Sequence, residues 1–362
     1  MILLNTKKMV LAVLVCFFSL SFSFHTFAIP QDLSLKAKLD HRIELLYIID
    51  ATANASSWHN CQLMNTVYHQ QVIKHFSTFV EHDAVSYYKK FIEDQIDFKI
   101  LEKAFLSLPA SHMPDQFITP KEWPIELGVF VQKALNFYYE SSFQTFMLSQ
   151  SSIIREVERS FQAVLNRQTW QETYFNWFSS SLSQISVLIS PLKTSSHQGY
   201  LVPMSDMSQH YYIVLGLTAI NNGFLVFAKS EELQALVLYH MSKELITAEM
   251  KFFPEELDKI DHNIQAYEKT WIELGFENSS DFIAHQMALC IYWNFLDELA
   301  QEKSSAALLN EAEEAGFFLI KCNWDILQSF LNYPELISWK AYTPLFLEKL
   351  YLMSSQNNAP KQ

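Results

Sequence analysis

The stretch ALVLYHMSKELITAEM (residues 235–250) carries the side chains best suited to chemistry in this chain. His240 and Glu244 are four residues apart, so on a helix they share a face, beside the apolar row Leu233, Leu236, Val237, Met241 and Leu245. A second histidine, His285, lies in a later apolar segment. A His/Glu/His set on two packed helices would suit zinc, which takes imidazole nitrogen and carboxylate oxygen. The competing reading is a His–Glu hydrogen bond that ties two helices together. A HxxxE pair recurs by chance, so both readings stand at this point.

Other polar residues offer less. His75 and His82 flank an apolar stretch and read as surface or helix-end groups, and His210 opens a strand. No GxSxG elbow, phosphate-binding loop or GxGxxG occurs. Cys290 and Cys322 sit in apolar surroundings, which leaves a single bridge or two buried thiols as alternatives. Trp170, Tyr174 and Trp177 in TWQETYFNWF have helical spacing, and packing is a commoner use of such rings than a ligand platform.

The elements that must position these residues follow from periodicity. LDHRIELLYIIDATA (39–53) places Ile43, Leu46, Tyr47 and Asp50 on one side, which predicts an amphipathic helix. Further helices are predicted over 69–80, 83–94, 98–107, 126–148 and 150–167, with Pro114, Pro120 and Pro124 between two groups of them. QISVLISPL (184–192), HYYIVLGL (210–217) and FLVFAK (224–229) read as strands, the last two joined by a turn at Asn221-Asn222-Gly223. Helix resumes at 231–250, 254–273, 280–302, 304–317, 323–332 and 340–353. The plan is α+β and mostly helical: a small mixed or antiparallel sheet between N- and C-terminal helical bundles.

Six glycines and 15% aromatic residues in 362 favour dense helical packing. The first residues have Lys7 and Lys8, an apolar run from Met9 to Phe22, and Thr26-Phe27-Ala28 before Ile29-Pro30. This is the pattern of a signal peptide over 1–28, and it implies export to the periplasm or beyond. An uncleaved leader would be the one membrane anchor. The rest reads as one domain over 29–353: helical to 180, sheet and following helix over 181–252, helical again from 253, then a flexible tail at 354–362. The formal charge of −13 offers no basic stripe for nucleic acid.

The order of RIELLYII (42–49), HFSTFVEHDAV (75–85), IDFKILEKAFLSL (96–108), ALNFYYESSFQTFM (134–147) and FLNYPELISWKAYTPLFLEKL (330–350), around the sheet and its following helix, resembles the bacterial domain-of-unknown-function 4932 family, whose members look like zinc metallopeptidases. The resemblance implies HExxH in the helix after the sheet. Here its first histidine falls on Tyr239, its glutamate on His240 and its second histidine on Lys243, with Asp281 nearest to the third ligand. An ammonium at position 243 opposes a dication, and a tyrosine hydroxyl loses its proton only near pH ~10. No cofactor is therefore expected on the main reading.

Two functions remain from different classes. The first is an exported, catalytically inactive metallopeptidase-like protein. It would bind an extended peptide or envelope protein along the 209–217 strand, with Tyr211 and Ile213 on the open edge, unless the 193–208 loop covers that edge. The second is a zinc-dependent hydrolase with a rearranged site at His240, Glu244 and His285.

Overall fold

Helix α1 (His41–Ala53) is enclosed on every side: each residue from Arg42 to Thr52 is buried. The expected amphipathic helix with a wet face is therefore corrected, because the polar residues of α1 find their partners inside the protein. The computed structural model containing it describes residues 35–53, 66–110, 113–114, 118–121, 123–165, 177–178, 184–194, 198–203, 209–217, 219–221, 224–226, 230–298, 305–332 and 338–357. The leader at 1–28, Cys61, Trp170 and Tyr174 lie outside them.

A three-residue strand, β1 (Lys36–Lys38), precedes α1. After it come α2 (Val67–Phe76), α3 (Asp83–Glu93), α4 (Phe98–Leu106), α5 (Ile125–Glu140), α6 (Phe143–Ser149) and α7 (Ser151–Leu165). The predicted 126–148 helix breaks at Ser142, whose φ of 56° puts it in the left-handed region. Strands β2 (Gln184–Thr194), β3 (Gln198–Pro203) and β4 (Gln209–Leu217) complete a mixed sheet of order β1-β2-β4-β3. Strands β1, β2 and β4 are parallel, and β3 runs antiparallel on β4. Strands β5 (Ala219–Asn221) and β6 (Phe224–Val226) pair only with each other, so the predicted 224–229 strand does not join the sheet. The second helical set comprises α8 (Ser230–Met250), α9 (Pro254–Ile264), α10 (Glu268–Glu273), α11 (Ser279–Glu298), α12 (Ser305–Glu314), α13 (Ile320–Leu331) and α14 (Trp339–Asn357). The fold is α+β and mostly helical, as the patterning predicts.

Two expectations fail for reasons of pairing and packing. Ile213 of β4 pairs with Val187 of β2 on one side and with Gly199 of β3 on the other. Tyr211 likewise lies between Ile185 and Leu201. The 193–208 segment thus supplies β3, and Tyr211 and Ile213 have no open edge for a peptide. The predicted tail at 354–362 is also corrected over its first four residues, which are helical. Helix α14 continues to Asn357, and Ser354 is buried, its hydroxyl accepting from Asn263 Nδ2 at 3.1 Å.

Buried ionic groups stitch the first helices to the sheet. Arg42 donates through Nε and Nη2 to the two carboxylate oxygens of Asp40, each at 2.8 Å, and through Nη1 to the carbonyls of Leu106 and Leu108. The end of α4 is thereby tied to the start of α1. Glu44 accepts from the Tyr68 hydroxyl at 2.8 Å, and Asp50 from that of Tyr88 at 2.7 Å. Burial holds the Glu44 carboxyl up at about 7. At the end of β2, Lys193 Nζ lies 2.7 Å from Glu102 Oε1 and 2.7 Å from the Tyr47 hydroxyl, while Tyr200 of β3 donates to Glu102 Oε2. Beside this bulged strand end, a Cβ at Gly216 would meet the Lys193 carbonyl oxygen at 2.7 Å, so glycine is required there.

In the second half an aromatic cluster replaces the ionic one. Trp339, fully buried, packs on Phe330 and Phe346, with ring centroids 5.4 Å apart in each case, and on Phe178. Trp177 stands edge-on to Phe330 at 5.1 Å. The described end of the 169–178 segment is thus core. Removing one member of the Lys193–Glu102 pair strands a buried charge. We therefore expect Glu102→Ala to cost about 3–5 kcal/mol in urea unfolding. Lys321→Ala, which breaks the half-exposed Lys321–Glu313 pair, should cost less than about 1 kcal/mol. Equal losses would contradict the distinction.

Candidate functional site

Helices α8 and α11 pack along much of their length, and α8 also lies against β3 and β4. Both helices are apolar around most of their circumference, which is why they occupy the interior. Their polar residues meet at the seam. Tyr239 and Lys243, one turn apart on α8, face α11, where Asp281 and His285 are likewise one turn apart. Tyr239 Oη lies 2.5 Å from His285 Nδ1. The His285 ring is also packed on Phe276 and Phe317, with centroids 4.9 and 5.2 Å away.

The electrostatics favour neutral forms. Burial, reinforced by the Lys243 charge, lowers the His285 imidazole to about 4. Burial, with Glu244 nearby, raises Tyr239 well above a normal phenol. Both groups are therefore neutral, and one hydrogen bond joins them: the Tyr239 hydroxyl donates to His285 Nδ1 in the Nε2–H tautomer and accepts from it in the Nδ1–H tautomer. Glu244 is also shifted upward, by burial first and by Asp281, while Lys243 acts in the opposite direction.

A third element closes the site. The Tyr211 hydroxyl is fully buried, with no hydrogen-bond partner among the described residues, and it feels the charge of Glu244. A Cβ on Gly199 would meet the Tyr211 oxygen at 2.1 Å and Glu244 Cγ at 3.1 Å. Only glycine lets β3 pass so close to both side chains. Tyr211 thus contributes through its hydroxyl, beside α8, and not through a strand edge.

The rearranged zinc site is not assembled. Among the described residues no three His, Cys, Asp or Glu side chains are grouped to hold a metal ion. His285 already engages Nδ1 with Tyr239, and the His240 ring stands edge-on to the Tyr239 ring at 4.8 Å. Asp281 is held at the start of α11, where its N–H donates to Asn278 Oδ1 and Asn278 Nδ2 donates back to Asp281 Oδ2. Asn278 supplies that cap, and Ser279 turns its hydroxyl to Asp261.

His75, His82 and His210 make structural contacts. His82 caps α3 by accepting from the Ala84 N–H at 3.0 Å, and His75 Nε2 lies 3.1 Å from the Ser141 carbonyl. His210 stacks on Tyr212 at 4.1 Å and meets Ser186 Oγ at 3.0 Å, and burial lowers it to about 4. Cys290 and Cys322 are both buried thiols, and the bridge between them is not formed. Sequence reasoning missed the Tyr239–His285 contact and the role of Gly199. Tyr239, beside His240 in the 235–250 stretch, was the available signal for the first, and the second had none.

Tyr239→Phe removes the hydroxyl that bonds the half-buried His285 Nδ1. We expect a loss of about 1–3 kcal/mol in chemical denaturation. Tyr351→Phe, at an exposed ring, should change stability by less than about 0.5 kcal/mol. No difference between the two variants would contradict the assigned bond. No family model, curated protein or solved structure matches the chain, so the reading of the site rests on this geometry.

Proposed function

We propose that this chain is an exported, non-catalytic protein of metallopeptidase-like lineage, related to the domain-of-unknown-function 4932 family, and that it acts in the envelope by binding or by structure. The observation that carries the reading is the Tyr239–His285 hydrogen bond. The degenerate ligand positions Tyr239 and Lys243 converge on His285 from one face of α8. There the Tyr239 hydroxyl engages one imidazole nitrogen, and the Lys243 charge is near enough to lower the His285 imidazole, which opposes a dication. HExxH hydrolysis needs two imidazoles on one helix face and a carboxylate that takes a proton from metal-bound water. His240 in the carboxylate's place supplies neither function. Export is supported by the leader pattern of residues 1–28. Among the described residues no helix is long and apolar enough to cross a membrane.

Elemental analysis of the purified chain tests the metal reading. We expect far less than one zinc per chain. About one zinc per chain, lost on His240→Ala, would contradict the proposal and favour the hydrolase. The lineage has its own test. Tyr239→His, His240→Glu and Lys243→His together, with Asp281→Glu if needed, should confer zinc binding readable by calorimetry. If a folded variant takes up no zinc, positions 239, 240 and 243 are not the counterpart of HExxH.

A further inference from the structure

A surface groove of about 470 Å³ opens where the end of α3, the start of α4 and the start of α5 meet, and none of its lining residues belongs to α8 or α11. Its floor is apolar, made by Tyr87, Phe91 and Leu127, and Ile100 stands half-exposed on its wall. Three exposed carboxylates, Asp94, Asp97 and Glu126, line the rim against a single lysine, Lys90. Lys133, the other cation near Tyr87, is engaged with Asp83 at 2.6 Å.

The rim is also built on an unusual turn. Gln95 holds φ at 55°, in the left-handed region where glycine is the usual residue. The turn is fixed by Ile96 N–H donating to the Phe91 carbonyl at 3.0 Å, and it presents Asp94 and Gln95 at the groove. A non-glycine residue in that conformation is a feature that clusters at binding surfaces.

We propose that this groove is a docking site for a short cationic amphipathic peptide segment, with bulky apolar side chains on the floor and lysine or arginine against the carboxylate rim. The argument is charge complementarity joined to an apolar floor: an acidic segment would meet three like charges, and a purely apolar one would leave the rim uncompensated. The inference is independent of the metal reading of α8 and α11, so either can fail alone.

Fluorescence anisotropy on the full chain tests it, with labelled peptides of alternating leucine and lysine, or leucine and glutamate. The basic peptide should bind and the acidic one should not. The pair Asp94→Lys and Glu126→Lys should weaken binding by about fivefold or more, and Ile100→Asp should weaken it as well. Glu314→Lys with Glu348→Lys alters net charge equally at exposed positions elsewhere, and should leave the affinity within about twofold. Circular dichroism of each variant establishes that the helices are retained. Absence of binding, equal binding of both peptides, or equal weakening by the two charge-reversal pairs would overturn the proposal, the last by reducing the effect to the overall acidic charge.

Discussion

The structure depends on what happens to polar groups once two apolar helices are packed against each other inside the protein. A helix buried around most of its circumference leaves only a half-buried stripe to which a tyrosine, a histidine and a glutamate can turn. On α8 and α11 this constraint is met by neutrality. Tyr239 keeps its proton, His285 loses its own, and the two share one short hydrogen bond. A dication needs open imidazole nitrogens and anionic donors, which is the opposite arrangement. Lys243 adds a charge of the wrong sign at the same place.

The first half meets the same constraint by pairing charges. Helix α1 is more enclosed than α8, yet it carries Arg42, Glu44 and Asp50. Each is bound to a group from another element: the α4 carbonyls, Tyr68 of α2 and Tyr88 of α3. Lys193, Glu102, Tyr47 and Tyr200 join four elements in one network at the end of β2. Such networks fix which helix lies against which strand, because a shifted register would leave a buried charge alone. Strand β3 links the two halves, since Tyr200 reaches Glu102 while Gly199 lets Tyr211 and Glu244 approach.

Helix positions were legible because apolar periodicity and caps are local signals. Predicted and observed limits of α3, α4 and α8 agree within a residue or so. The sheet was legible only in part. QISVLISPL and HYYIVLGL announce themselves by β-branched runs, whereas β1 is three residues of LKAKL and β3 carries a glycine and a proline. Neither has a strand pattern of its own; each is a strand because a partner's backbone is there to pair with. Missing β3 is what made Tyr211 and Ile213 look like an edge. In the site, the sequence pointed to the correct helix and to His285. It did not reveal that Tyr239, and not His240 or Glu244, is the residue that meets that histidine, because the choice depends on the rotation of α8 against α11.

The account is tested most directly by following the His285 ring in a nitrogen-resolved NMR titration of the full chain. With a folded value near 4 against 6.5 for an ordinary histidine, the unfolded state binds more protons between those values. His285 should therefore stay neutral down to about pH 4. Its contribution to stability should be fully present above about pH 6.5 and lost as the pH falls toward 4. Added zinc should leave its signals unmoved. A ring that titrates near 6.5, or shifts stoichiometrically with zinc, would contradict the claim that a hydrogen bond between a neutral tyrosine and a neutral histidine holds this seam.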